Sequence, residues 1–332
     1  MPRKPFCAGV WAFKSTALAA LFLAGAAAAD PVEITAQSEV GVLTGTLEQS
    51  APVTAAALIL PGSGPTDRDG NTAVAGVTAA PYLMLSRALA DQGIATARVD
   101  KRGVGGSTGT GTDPLLSAYV GDTRAWVDVV RKATGASCVW LIGHSEGALI
   151  SMLTAAEDPE VCGMVLLTSP GRVIADIFFE QVATQPQIAP YLGAFTSAIE
   201  TLVAGGVPDV SGLPASLQPM FHESVRDYMR DFVATDPAAL IAATDVPTLI
   251  LHGDGDIQTP PTEAAPLMAA RPDATARVLP GMTHMLKPAL TLAEAGGVDA
   301  FVQASLATYS NPTLPLHADL VPLIVDFIAG HP

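Results

Sequence analysis

The pentapeptide Gly143-His144-Ser145-Glu146-Gly147 interrupts an apolar run, "CVWLI", and the apolar residues resume at Ala148. G-x-S-x-G spacing suits nucleophilic chemistry when a strand precedes it and a helix follows. On such a junction the serine sits on a sharp, strained turn, and side chains at the flanking positions would collide with the neighbouring strand and helix. Glycine at both places removes the collision. The following helix aims its free N–H groups and positive dipole end at the serine. A serine hydroxyl is a weak nucleophile until a base takes its proton. An imidazole with a pKa near ~6.5 does so near neutral pH, and a buried carboxylate fixes its tautomer. Six histidines are available for that role: His144, His222, His252, His284, His317 and His331. His144, on the turn itself, reads as a packing or orienting residue.

Other chemistries fail on spacing. "DRDGN" begins like a calcium loop from Asp67, but Thr72 and Thr78 stand where that loop needs Gly and Glu. "GVGGSTG" lacks the third glycine of a dinucleotide fingerprint and fits no P-loop. There is no H-E-x-x-H and no paired C-x-x-C, so neither a zinc site nor any other cofactor is implied.

The elements around Ser145 follow a repeating order. "VEITAQSEVGVLTGTLEQS" reads as two antiparallel strands turning at Gly41. "AAALILPGSG", "IATARVDKRGVGGS", "CVWLIGHSEG", "GMVLLTSPG", "PTLILHGDGD" and "ARVLPGMTHM" are apolar runs that break into polar or glycine-rich loops. Helical spacing lies between them in "YLMLSRALADQG", "YVGDTRAWVDVVRKATG" and "ALISMLTAAED", and residues 318–329 read as a closing helix. Strand–helix alternation predicts a mostly parallel sheet with helices on both faces, and the continuously apolar runs suit strands buried on both sides. Ligands collect at the carboxyl ends of such strands, where every glycine-rich loop above falls. Between about 171 and 245 the rhythm gives way to amphipathic helices, which predicts a cap over the site; an insertion without substrate contact is the plainer alternative.

Acidic residues outnumber basic ones 32 to 17 in the 332-residue chain, for a net charge of −15, which excludes a nucleic-acid partner and disfavours polyanionic substrates. Hydrophobic residues make up 49% and charged ones 15%, so a large core is within reach. Residues 1–29 differ from the rest: Arg3, Lys4 and Lys14 precede an apolar stretch from Thr16 to Ala29 that ends in small residues. That stretch is shorter than the ~20 residues of a membrane span. It predicts a signal peptide cleaved near Asp30, with export to a periplasmic or extracellular compartment and no stable membrane anchor afterwards; the alternative is an uncleaved anchor.

With strand before and helix after Ser145, the chain resembles the α/β-hydrolases. The resemblance implies a mostly parallel eight-stranded sheet flanked by helices, with residues 30–332 as the hydrolase domain and the helical stretch as its cap. It also implies the order Ser, Asp, His. "LHGDGDIQTP" and "LPGMTHMLK" follow the last two core strands, so the resemblance carries Ser145 to nucleophile, Asp256 to acid and His284 to base. Asp254, on the same turn, is the rival acid. The family takes one oxyanion donor from the residue after the nucleophile, here the Glu146 N–H. The other comes from the loop after the third strand, here the Ser63 N–H of Pro61-Gly62-Ser63-Gly64, where many members carry His-Gly. "PGSGPTDRDGN", "DKRGVGGS" and "GMTHMLK" resemble a subset of secreted bacterial members described as esterase-like or serine-aminopeptidase-like. Arg68, Asp69, Asp100, Lys101 and Arg102 read as ion pairs knitting the first two of those loops together.

On this fold Cys138 and Cys162 stand at the amino ends of consecutive strands, close enough for a disulfide on the side away from the catalytic loops. The expected activity is hydrolysis of a small-molecule acyl ester, or a thioester, through an acyl-enzyme. Phe178, Phe179, Tyr191, Phe195 and Phe221 are candidates for an acyl pocket, or for the cap's own core. An aminopeptidase would need a cap carboxylate for the substrate amine, from Glu180, Glu200, Glu223 or Asp227. A catalytically silent binding protein is the reading from another class.

Overall fold

The structure, a computed structural model, describes Met1 and residues 30–109 and 115–331. The expected signal segment therefore lies outside the described residues, Met1 apart. The two opening strands and the six apolar runs form one sheet: β1 (Val32–Ser38), β2 (Gly41–Glu48), and from the runs β3 (Ala55–Leu60), β4 (Ile94–Val99), β5 (Val139–His144), β6 (Val161–Leu167), β7 (Thr248–Gly253) and β8 (Thr275–Leu279). Their spatial order is β1-β2-β4-β3-β5-β6-β7-β8. β2 is antiparallel to β1 and β4, and every other neighbouring pair is parallel.

The two-residue period of a strand explains why these runs are apolar throughout. In β3, Ala56, Leu58 and Leu60 enter one core cluster while Ala57 and Ile59 enter the other. β5 divides likewise, Val139 and Leu141 to one side, Trp140 and Ile142 to the other. Of the flanking helices, α1 (Pro81–Ala90) supplies Tyr82, Leu85 and Leu89 to one cluster, and α2 (Leu116–Thr134) and α3 (Glu146–Ala155) supply Trp126, Val127, Leu149 and Met152 to the other.

Between β6 and β7 run α4 (Ile174–Thr184), α5 (Leu192–Val203), α6 (Arg226–Ala234) and α7 (Pro237–Ala242). α4, α5 and α6 pack on one another, whereas α7 packs against α3 and against α8 (Ala264–Ala270). α9 (Leu292–Ala295) and α10 (Val298–Ala307), which the sequence pattern did not announce, precede α11 (Leu320–Ala329). α11 closes the face that α1 covers, through Leu320, Ile324 and Ile328. No helix among the described residues is long and apolar enough to cross a membrane.

β5 and β6 are neighbours, so their amino ends bring Cys138 and Cys162 together. The two form a disulfide with a Cα–Cα separation of 5.2 Å, at the end of the sheet away from Ser145, as expected.

Candidate active site

Ser145 occupies the turn between β5 and α3 with φ 54° and ψ −117°, a conformation that L-residues rarely adopt. Its N–H donates to the Leu167 carbonyl at the end of β6 (2.9 Å), which pins the turn to the neighbouring strand. The flanking glycines have the steric role expected of them. A Cβ on Gly143 would strike the Gly147 carbonyl and Ser151 Oγ of α3, and one on Gly147 would strike the Leu60 carbonyl of β3. Helix and strands thus close on the turn, and no side chain fits between them.

The loop after β7 supplies Asp256, which is buried. Its Oδ1 accepts the N–H groups of Gln258 (2.7 Å) and Thr259 (3.0 Å), and its Oδ2 lies 2.8 Å from His284 Nδ1. Burial pushes this carboxyl's pKa up, but His284 and the N–H donors outweigh it and leave the pKa below the ordinary value. An acceptor-only carboxylate fixes the proton on His284 Nδ1, so the neutral ring presents Nε2 as a lone pair. Asp254 is exposed, and its Oδ1 accepts the Gly281 N–H, tying the two loops together. Of the two rival acids, only Asp256 meets the histidine.

His284 follows β8 and lines a cavity of about 180 Å³ together with Ser145, Gly62 and Ser63. His222, His252, His317 and His331 do not line it. Thr259, to which no sequence signal pointed, places its hydroxyl 3.0 Å from Asp256 Oδ2 and 3.1 Å from His284 Nδ1.

His144 is buried and joins three parts of the site. The Gly62 N–H donates to Tyr82 Oη (3.0 Å), Tyr82 Oη is 2.8 Å from His144 Nδ1, and His144 Nε2 is 2.8 Å from the His284 carbonyl. A carbonyl only accepts, so Nε2 carries the proton, and the Tyr82 hydroxyl donates to Nδ1. Burial, and then the nearby His284, lower the His144 pKa to about 3, which keeps that neutral tautomer at ordinary pH. His144 therefore orients the loops and is not a base.

The charged loop residues separate into distinct pairs. Arg68 does join Asp100, and Glu33 as well. Asp69 pairs instead with Arg98 of β4, and Arg102 with Asp122 of α2. Lys101 turns toward the nucleophile: its Nζ lies 2.9 Å from Glu146 Oε1 and 3.2 Å from the Gly62 carbonyl. The Tyr228 hydroxyl of α6 donates to the other Glu146 carboxylate oxygen.

A second cavity, of about 530 Å³, reaches Ser63 from the α4–α6 side and is lined by Phe178, Met220, Tyr228, Met229 and Phe232 among others. Of the five cap aromatics singled out from sequence, Phe178 alone lines it. Phe195 and Phe221 are buried against each other, Phe179 packs edge-on to Phe195, and Tyr191 faces solvent. No carboxylate stands among the described residues lining either cavity. Glu180 pairs with Arg172, and Asp227 with Arg230.

Comparison with known proteins places this geometry among others. A family profile described as serine aminopeptidase, S33, matches residues 76–203. Esterase EstD of Thermotoga maritima is 23% identical over 208 residues, covering 61% of this chain and 47% of that protein, so the match spans about half the length of that relative. Among solved structures, Est1E of Butyrivibrio proteoclasticus, with ferulic acid bound, is 18% identical, with a TM-score of 0.56 over 89% of this chain and 99% of that one. An esterase of Pyrococcus furiosus is 14% identical, with a TM-score of 0.54 over 91% of each chain.

Proposed function

We propose that the chain is an α/β-hydrolase and, within that superfamily, a serine hydrolase that cleaves carboxylic esters through an acyl-enzyme on Ser145; the matched profile and the esterase relatives support this. One observation carries this reading: a serine on a strained strand–helix turn opens into the same cavity as a histidine whose Nδ1 is held by a buried carboxylate. Ser145 attacks the ester carbonyl as His284 Nε2 takes its proton, and Asp256 steadies the imidazolium that forms. The N–H groups of Ser63 and Glu146 receive the oxyanion of the tetrahedral intermediate. Removing one such donor from an acyl-transfer site typically costs ~3–4 kcal/mol of transition-state stabilisation. His284 then returns its proton to the leaving alcohol, and water repeats the sequence to free the acid.

The stretch containing α4–α6 acts as a cap, and the cavity beneath it takes the apolar acyl group. The smaller cavity beside His284 is left for the alcohol. A thioester fits the same scheme. The chain is exported and cleaved near Asp30; the character of residues 1–29 and the Cys138–Cys162 bridge, a linkage that persists in oxidising compartments, support this.

The family profile favours a second reading, an aminopeptidase. A free substrate amine needs a carboxylate to receive it, and the described part of the larger cavity is lined instead by apolar side chains and by the cations Lys101 and Arg102. Hydrolysis of nitrophenyl esters from acetyl to palmitoyl, by the protein and by Ser145→Ala, tests the proposal. The expected result is turnover that is highest for short to medium acyl groups and is lost in the variant. Turnover of aminoacyl nitroanilides in place of esters would move the assignment to the peptidase. Reaction with neither would leave a binding protein on this scaffold.

A further inference from the structure

We infer that Lys101 is a positioning residue for the oxyanion, its ammonium holding and polarising the Gly62–Ser63 peptide whose N–H is one of the two donors. The inference rests on the proposed reading of Ser63 and Glu146. Lys101 Nζ lies 3.2 Å from the Gly62 carbonyl oxygen, on a side chain that is only 6% exposed. That oxygen and the Ser63 N–H are the two ends of one peptide unit. The unit is trans, since the single cis bond among the described residues is Ala51–Pro52. In a trans peptide the C=O and N–H point in opposite directions, so a cation fixed on the oxygen fixes where the N–H aims. Among the described residues no protein group accepts the Ser63 N–H, which leaves it free for a ligand. Drawing electron density toward the carbonyl oxygen also makes the N–H at the other end a stronger donor.

The same ammonium reaches the second donor's residue. Nζ is 2.9 Å from the carboxylate of Glu146, whose backbone N–H opens α3 and has no partner within the helix. One charge thus bridges the two residues whose N–H groups must stand at a set separation around a single oxygen. Burial alone lowers the ammonium's pKa, but the Glu146 carboxylate outweighs burial and raises it, so the cation persists. The Tyr119 ring, 4.7 Å from Nζ, covers another side of the cation.

A plainer role is possible for the same contacts, in which Lys101 only neutralises a buried carboxylate close to where negative charge develops. Two variants separate the roles: Lys101→Met, and Lys101→Met combined with Glu146→Gln, which leaves no unpaired buried charge. Each is assayed with nitrophenyl butyrate and with a butyryl trifluoromethyl ketone, whose hemiketal with the serine carries the same oxyanion. The expected result, in both variants, is a kcat reduced about tenfold to a hundredfold with KM within about twofold, and a ketone affinity weakened by the same factor. Lys101→Arg, which keeps a cation in place, recovers part of the loss. Should Lys101→Met fail to fold, the double variant alone carries the test. A double variant with the original kcat and ketone affinity would overturn the inference and leave charge neutralisation as the whole role. Turnover that survives Ser145→Ala would instead overturn the reading of the site, and the inference with it.

Discussion

The two ends of the sheet are built from opposite materials. At the carboxyl ends of β4, β5, β7 and β8, polar side chains are buried together: His144, Glu146, Asp256, His284 and Lys101 are each at most 7% exposed. They are joined by hydrogen bonds and by a backbone held in a strained conformation at Ser145. At the amino ends the joints are covalent and apolar. Cys138 is bridged to Cys162, and Phe327 of α11 sets its ring edge-on to Trp140 at 5.8 Å. Buried groups that gain or lose protons hold the polar end, whereas a covalent bridge and aromatic packing hold the other. The difference teaches that the two ends fail under different insults, and that injury to one can spare the other.

The first of two effects that would break the comparison comes from the covalent end. Opening the bridge by Cys138→Ala with Cys162→Ala frees a loop spanning 24 residues and is expected to lower stability by about 3 kcal/mol, read from urea unfolding. Ester kcat should stay within about twofold, since no group at the site moves. Loss of turnover in the still-folded variant would show that the two ends are coupled.

An effect of similar size, spread over pH, sharpens the contrast at the polar end. His144 stays neutral in the folded chain down to a pH of about 3, while in the unfolded chain it takes up a proton near pH 6.5. Between these values the unfolded chain binds more protons, so stability falls as pH drops. The slope from this one group is about 1.4 kcal/mol per pH unit. Asp256 acts lower still: its depressed pKa gives stability that is present above the ordinary carboxyl value of 3.8 and is lost as pH falls through the folded value. Urea midpoints from about pH 6.5 to about pH 4 should decline less steeply in His144→Gln by that one-proton slope. Equal slopes in the two proteins would refute the role given to His144.

Much of this architecture was legible in the chain because it is written in local patterns. Strands buried on both faces must be apolar at consecutive residues, so β3 to β7 announced themselves, and their breaks into glycine placed Ser145 and Asp256 at the proper edge. β8 was legible through "ARVL", and His284 through the loop that follows it. α9 and α10 were missed because they expose apolar residues such as Leu292 and Val298, so their pattern lacks a buried stripe. Contacts between distant segments were the other loss. Lys101 was read as part of a knot between its own loop and that of Arg68, yet it meets Glu146 across 45 residues. Tyr82, Thr259 and Tyr228 carried no signal at all, because a hydroxyl's partner depends on how the loops converge. The larger cavity was half legible: the helices of 171–245 were, but which of their aromatics face inward was not, and α6 rather than α5 supplies the wall.

The most direct test of the central claim is to treat the protein with a fluorophosphonate, which reacts only with an activated serine, and to map the adduct by intact mass and peptide sequencing. The account predicts one adduct per chain, on Ser145, absent from Ser145→Ala and formed far more slowly in Asp256→Asn. An unlabelled protein, or a label on any other residue, would contradict it.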